Sequence, residues 1–415
     1  MIGFVYKCST CGERYQRDEV RYLCPSCAKD YHAGIPLVGV LSVEFDYDAI
    51  KKQFDKRNPD WMLFSAVEEK YFPPFPVGET PYFKSAALGK ELGFDDIWIK
   101  NDGLNPSGSL KDRASFLVVA EAKRIGEGTI VTASTGNAAS ALAAVCAAAG
   151  TRALILVPER APRAKLVQML LHGACVIPVR GTYDDAFRLT LEYTNSKGGL
   201  NRNTAYHPLT IEGKKTVGLE IFRQNKWKAP DAIVVPVGDG VILSGVYKAF
   251  YDLKAAGLIT RMPRLVCVQA ENSAAIHHYI QTGKYHNAER PVTIADSISV
   301  SIPSNAHMAR NAVLATDGFS VTVSDKEILE AQQILARKTG VFAEPAAAST
   351  VAGLKKSREA GLLDAKGKVV ALITGHGLKD IDAALKNIWM PVAVEPTLES
   401  VESALAGVAP SGVPS

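Results

Sequence analysis

The sequence lacks the features that would place the chain in a membrane or on a polyanion. No apolar run approaches the roughly 20 residues that a spanning helix needs, so no membrane partner is expected. Lysine and arginine exceed aspartate and glutamate by only four charges. No basic block gathers that excess, so nucleic acid is not expected as a partner either. The opening residues, Met1 to Cys8, lack a signal-peptide profile, and the expected compartment is the cytoplasm. There is no internal repeat and no low-complexity block. Charged and apolar fractions are ordinary for a globular protein. A chain of 415 residues can hold two or three domains with large cores.

Cysteine is also scarce, at seven residues, but four of the seven are patterned. Cys146, Cys175 and Cys267 stand singly in apolar segments and read as small buried hydrophobes. The others form Cys8-x2-Cys11 and Cys24-x2-Cys27. Each Cys-x-x-Cys turn aims two thiolates at one point, so the spacing predicts one tetrahedral metal site. A pair of disulfides would satisfy the same count, but a reducing compartment disfavours them. Tetrahedral sulfur accepts zinc or iron, and a structural Zn2+ is the expectation. Four cysteines leave no open position for catalysis.

Beyond residue 75, strands and helices alternate, which implies an α/β fold of parallel sheets covered by helices. Such sheets carry their sites at the carboxyl ends of strands, and four loops there hold chemistry. In the first, Asp96–Lys100 reads as a strand, residues 101–108 as a turn-rich break, and an apolar-periodic helix starts near Leu110. Lys111, in the run Asn-Pro-Ser-Gly-Ser-Leu-Lys-Asp-Arg, is thereby placed to present its amine to a cleft. A lysine amine can form a Schiff base with a carbonyl. In the second, Ser134, Thr135, Gly136 and Asn137 open an Ala-rich helix whose first amides suit an anion. A plain N-cap by Ser134 or Thr135 is compatible with that. In the third, an apolar strand runs into Gly238, Asp239, Gly240, Val241 and Ile242, with a helix expected from Val246 to Ala256. Backbone amides gathered in this way suit a phosphate, although the Asp239 carboxylate would repel one unless it turns aside. In the fourth, the strand Val369–Ile373 ends in Thr374 and a Gly-His-Gly turn. The Thr374 hydroxyl there could bond a neutral pyridine nitrogen.

These runs, with Glu344-Pro-Ala-Ala-Ala-Ser and Thr374-Gly-His-Gly-Leu-Lys-Asp, occur in an order that resembles the threonine synthase family of fold type II pyridoxal-phosphate enzymes. The resemblance spans roughly residues 75 to 385. It implies two parallel-sheet, three-layer domains and a cofactor, pyridoxal 5′-phosphate. It also implies a carbon–oxygen lyase that converts O-phosphohomoserine and water to threonine and phosphate. Lys111 would hold the cofactor and shuttle protons. Asn137 would bond its 3-hydroxyl, Gly238 to Ile242 its phosphate and Thr374 its ring nitrogen. Ser134, Thr135 and Gly136 would contact the amino-acid substrate's carboxylate. A homodimer is the expected assembly. The expected organisation is a zinc-ribbon-like four-cysteine module at 1–36, an arm and the first part of the large domain at 37–124, and a small mobile domain at 125–210. The rest of the large domain follows at 211–395, with a partly disordered tail at 396–415.

Two departures from the family pattern bear on the substrate. The phosphate loop carries Asp239 where asparagines are usual. The arginine that tends to stand just before the family's Glu-Gly-Lys-Thr-like run is missing near Thr210, for the segment Tyr206 to Glu212 holds none. Phosphate recognition favours a cation, so Arg202 or Lys214 would have to substitute. Without one, β-elimination from threonine or serine, a dehydratase reaction of the same fold, or β-replacement becomes the alternative.

Overall fold

The computed structural model describes residues 1–161, 163–388 and 390–406. The last part of the expected tail lies outside them. Strands β1 (Phe4–Cys8), β2 (Arg14–Tyr15) and β3 (Leu41–Phe45) form a small antiparallel sheet in the order β2-β1-β3. β3 pairs with β1 along its whole length, from Phe4 opposite Phe45 to Cys8 opposite Leu41. The sheet therefore extends beyond residue 36. Leu-Ser-Val-Glu-Phe alternates apolar and polar residues, and its Leu41, Val43 and Phe45 turn into the core.

β4 (Tyr82–Lys84) and β5 (Asp96–Asn101) open a larger sheet. The chain then leaves it for β6 (Thr129–Ala133), β7 (Arg152–Pro158), β8 (Cys175–Val179) and β9 (Leu200–Asn201). These four form a parallel sheet ordered β8-β7-β6-β9. β8 lies at its edge, which is why Cys175 is only half-buried while Cys146 and Cys267 are buried as expected. The chain returns through β10 (Ala232–Pro236), β11 (Arg264–Ala270), β12 (Phe319–Val323) and β13 (Lys368–Ile373). The larger sheet is ordered β12-β11-β10-β13-β5-β4, parallel except for β4 against β5. β10 and β13 are central and almost wholly buried, and their Val/Ile/Leu-rich sequences are what a sheet covered on both faces requires.

Close helix packing backs this sheet. The helices Lys111–Arg124, Leu209–Gln224 and Val241–Ala255 meet at glycines. A Cβ on Gly245 would lie 2.8 Å from that of Lys214, and one on Gly218 would lie 2.5 Å from that of Ala249. A buried ion cluster joins the last two helices. Lys215 Nζ lies 2.5 Å from Glu212 and 3.0 Å from Asp252, which also accepts from Lys248.

Candidate active site

Three adjacent strands, β10, β13 and β5, each end in one of the loops singled out in the sequence. Their side-by-side order converts three segments far apart in the chain into one wall. The loop after β5 is stitched to the loop after β13. Leu110 N donates to Thr374 O at 2.9 Å, and His376 N donates to Gly108 O at 2.9 Å. Gly108 takes φ +85°, a conformation costly for other residues.

The start of the Lys111 helix is fixed by the two residues that follow it. The Ser107 amide donates to Asp112 Oδ2 at 2.8 Å, and the Ser107 hydroxyl bonds the other oxygen. Burial lifts the Asp112 carboxyl to about 6 against the pull of these bonds. Arg113 grips Asp102 with two nitrogens, Nε at 2.6 Å and Nη2 at 2.9 Å, and also reaches Glu220. A bidentate fork of this kind sets orientation as well as energy. Asp112 and Arg113 therefore do not pair with each other; each ties the helix start to a different part of the loop.

A cavity opens at these strand ends. It is lined by Lys111, Thr204, Lys214, Ser297, Thr374 and the segment Pro236–Leu243 with its glycine loop. Of the residues expected to act together, Lys111, Gly238, Asp239, Gly240, Val241, Ile242 and Thr374 all border it. Lys111 stays half-buried because it faces this space. Its amine has no hydrogen-bond partner among the described residues. Burial pushes its pKa down, with Arg202 acting in the same direction and Glu344 against it. A less protonated amine is a better nucleophile.

The glycine loop is shaped by what surrounds it. A Cβ on Gly238 would sit 2.9 Å from Ile298 Cα, and Gly240, at φ +88°, would bring one 2.7 Å from Ala309. Gly240 is the N-cap of a helix that begins at Val241, five residues earlier than the sequence suggests. The amides of the first turn therefore belong to the loop itself. Asp239 turns its carboxylate to the Ser304 amide, 3.3 Å away. Burial raises its pKa, opposed by that amide, Lys214 and Lys111.

Asn137 is buried and donates through Nδ2 to both Glu344 oxygens, at 3.0 and 2.9 Å, and to Ser297 Oγ at 3.2 Å. It adjoins the cavity through Ser297 rather than forming part of its wall. Burial lifts the Glu344 carboxyl above its usual range, with Lys111 pulling the other way. Ser134 accepts from the Gly136 amide at 3.2 Å, and no side chain caps the helix Asn137–Ala149. Ser134, Thr135 and Gly136 precede Asn137 as a half-buried loop outside the cavity's lining.

Three contributors escape the sequence as site residues: Glu344, Ser297 and Lys379. Glu344 opens a recognisable run, but its contact with Asn137 spans 207 positions. Lys379 donates to Ser107 O at 3.0 Å, Ser140 Oγ at 2.8 Å and Gln168 Oε1 at 2.5 Å. It pins the Lys111 loop to two helices flanking the smaller parallel sheet.

Outside the cavity's lining, Cys8, Cys11, Cys24 and Cys27 converge, with all four Sγ atoms within 4.8 Å of one another. Cys8 lies 3.9 Å from Cys27, and Cys11 lies 3.8 Å from Cys24, so no disulfide joins them.

Residues 74–375 match the family described as pyridoxal-phosphate dependent enzyme. The chain is similar to the threonine synthase of Methanocaldococcus jannaschii, with 36% identity over 94% of this chain and 96% of the relative. The threonine synthase of Methanosarcina acetivorans is 35% identical, over 97% and 99% respectively. Among solved structures, a processed threonine deaminase isoform 2 from Solanum lycopersicum shares the fold, with TM-score 0.66, 22% identity, and coverage of 78% of this chain and 91% of that one.

Proposed function

The chain belongs to the pyridoxal-phosphate dependent enzymes, and within them to the threonine synthases, and from that premise we propose that it converts O-phosphohomoserine and water to threonine and phosphate. The observation that carries this is the Lys111 amine, without a hydrogen-bond partner among the described residues and nudged toward neutrality, at the wall of a cavity that a glycine-capped helix also enters.

The residues fit the cofactor's chemistry. An amine suits an aldehyde, a hydroxyl suits a ring nitrogen, and amides at a helix start suit a phosphate. The crowding against Ile298 and Ala309 leaves no room for a side chain at Gly238 or Gly240. In this reading Lys111 holds the cofactor, Gly238 to Ile242 hold its phosphate, Thr374 its ring nitrogen and Asn137 its 3-hydroxyl. Pyridoxal phosphate, when bound, draws electrons from the α-carbon of an amino acid and makes its proton removable. Lys111 Nζ takes that proton and returns protons to the carbon chain as phosphate leaves the γ-carbon and water adds at the β-carbon. Ser134, Thr135 and Gly136 receive the substrate carboxylate. Glu344 keeps the Asn137 amide oriented.

The cysteine cluster fits structural zinc. A tetrahedral shell with Zn–S of about 2.3 Å has S···S edges of about 3.8 Å, close to the observed 3.8 and 3.9 Å. The unit around β6–β9 is proposed as the small mobile domain, the compartment as the cytoplasm and the assembly as a homodimer, the commonest closed symmetry. Among the described residues, no helix is long and apolar enough to cross a membrane.

The test is a product assay on purified protein supplied separately with phosphohomoserine, homoserine, threonine, serine and phosphoserine. Phosphate and threonine from phosphohomoserine alone support the reading. Ammonia from threonine or serine, with no phosphate from phosphohomoserine, moves the chain to the dehydratases.

A further inference from the structure

Among the described residues four lysines are buried: Lys100, Lys214, Lys215 and Lys248. Three of them meet carboxylates. Lys100 donates to Glu220 at 2.6 Å, Lys215 to Glu212 and Asp252, and Lys248 to Asp252. That is the general rule for an ammonium taken out of water. Lys214 is the exception. Its amine donates to Thr204 Oγ1 at 3.3 Å and to no carboxylate. It lines the cavity that holds Lys111 and the glycine loop. The backbone of Lys214 packs on Gly245, in the second turn of the helix that the glycine loop caps, and this runs its side chain beside that helix start.

A second buried basic side chain acts on it from outside the cavity's lining. Arg202 is 1% exposed, its Nε donates to Ser115 Oγ at 3.2 Å, and its Nη2 has no partner. Arg202 and Lys111 both add to the burial that drives the Lys214 pKa well down, and Asp239 is the acid that opposes them. Asp239 is already engaged by the Ser304 amide. A buried amine without a carboxylate partner, lining the cavity beside amides at a helix start and with Arg202 acting on it, suits an anion of more than one charge, which would hold the amine protonated. A phosphate monoester carries about two. Thr210, in the segment that lacks the expected arginine, offers no cation: its hydroxyl donates to His207 O at 2.8 Å and accepts from the Ala205 amide.

We propose that Lys214, backed by Arg202, receives a phosphate monoester in this cavity. The inference rests on reading the cavity as the cofactor and substrate site. Two monoesters have that chemistry, the cofactor's 5′-phosphate and the substrate's γ-phosphate, and the test separates them.

The experiment uses the full chain stripped of cofactor, as wild type, Lys214→Met and Lys214→Arg. Inorganic phosphate is titrated against melting temperature, and pyridoxal phosphate and pyridoxal are titrated by absorbance. Kinetics with phosphohomoserine are then measured on the reloaded proteins. Phosphate should stabilise the wild type and Lys214→Arg, and Lys214→Met should need about tenfold more of it, a typical loss for a charge-assisted bond. Without phosphate, Lys214→Met should melt no lower than wild type, since the change removes a buried amine that has no carboxylate partner. If affinity falls for pyridoxal phosphate but not for pyridoxal, the receptor serves the cofactor. If both bind as before and the KM for phosphohomoserine rises about tenfold, it serves the substrate. Unchanged responses to all three phosphates, or a lower melting temperature for phosphate-free Lys214→Met, would overturn the proposal. A wild type that takes up no pyridoxal phosphate at all would instead overturn the reading of the cavity, a failure distinct from either.

Discussion

Asp239 is the residue of the glycine loop whose side chain works against an anion. Its carboxylate is turned to the Ser304 amide, and its burial already favours the protonated form. The loop's amides, rather than this side chain, are the donors in the proposed phosphate site. Asp239→Asn should therefore leave pyridoxal-phosphate affinity unchanged or improve it, as read by absorbance titration. A large loss would make the carboxylate itself a ligand. At this scale the sequence is informative where one residue's role follows from its neighbours. Lys111 stands out because a broken strand and a helix start bracket it. Glu344 does not, because its partner Asn137 belongs to a distant helix, and only the fold joins them. In the sequence Lys214 is no more than a substitute for a missing arginine. Its lack of a carboxylate becomes visible only beside Lys215, its neighbour on the same helix, which has two.

Elements are legible by period, and their ends less so. The strands that carry the site loops lie where the apolar runs place them. The glycine-loop helix does not, for Ser244-Gly245 reads as loop and yet lies inside Val241–Ala255. Gly245 is there for packing: its missing side chain makes room for Lys214, 2.8 Å from where a Cβ would sit. Two effects then oppose each other in Gly245→Ala. Helix propensity favours alanine by about 1 kcal/mol, while overpacking costs about 1–3 kcal/mol. The overlap is with a Cβ and with backbone, neither of which can swing away, so the second effect should win. Urea denaturation should show the variant less stable than wild type. A more stable variant would mean that the two helices separate at little cost.

At the scale of the whole molecule, the cysteine module is joined to the elements that build the cavity. Arg17 bridges to Glu121 on the Lys111 helix at 3.1 Å. Tyr22 stacks on Tyr206 with ring centroids 4.6 Å apart, and its hydroxyl accepts from the Asn201 amide, next to Arg202. Leu37 N donates to Ser304 O, and the Ser304 amide is the one that holds Asp239. The Cys-x-x-Cys spacing discloses the module, but not these contacts, which depend on tertiary packing alone. If the four cysteines hold zinc, the purified protein should contain one ion per chain. Chelation should then lower both melting temperature and pyridoxal-phosphate affinity, although none of the four cysteines lines the cavity. Metal-free folded protein with four titratable thiols and full cofactor affinity would remove that link. The central claim, that this fold directs one lysine of the whole chain at the cofactor, has a direct test. Protein loaded with pyridoxal phosphate is reduced with borohydride, digested and mapped by mass spectrometry. The label should lie on Lys111, and Lys111→Ala should carry none and show no visible Schiff-base band. A label on Lys214, the other lysine of the cavity, or on any lysine elsewhere in the chain, would contradict the account.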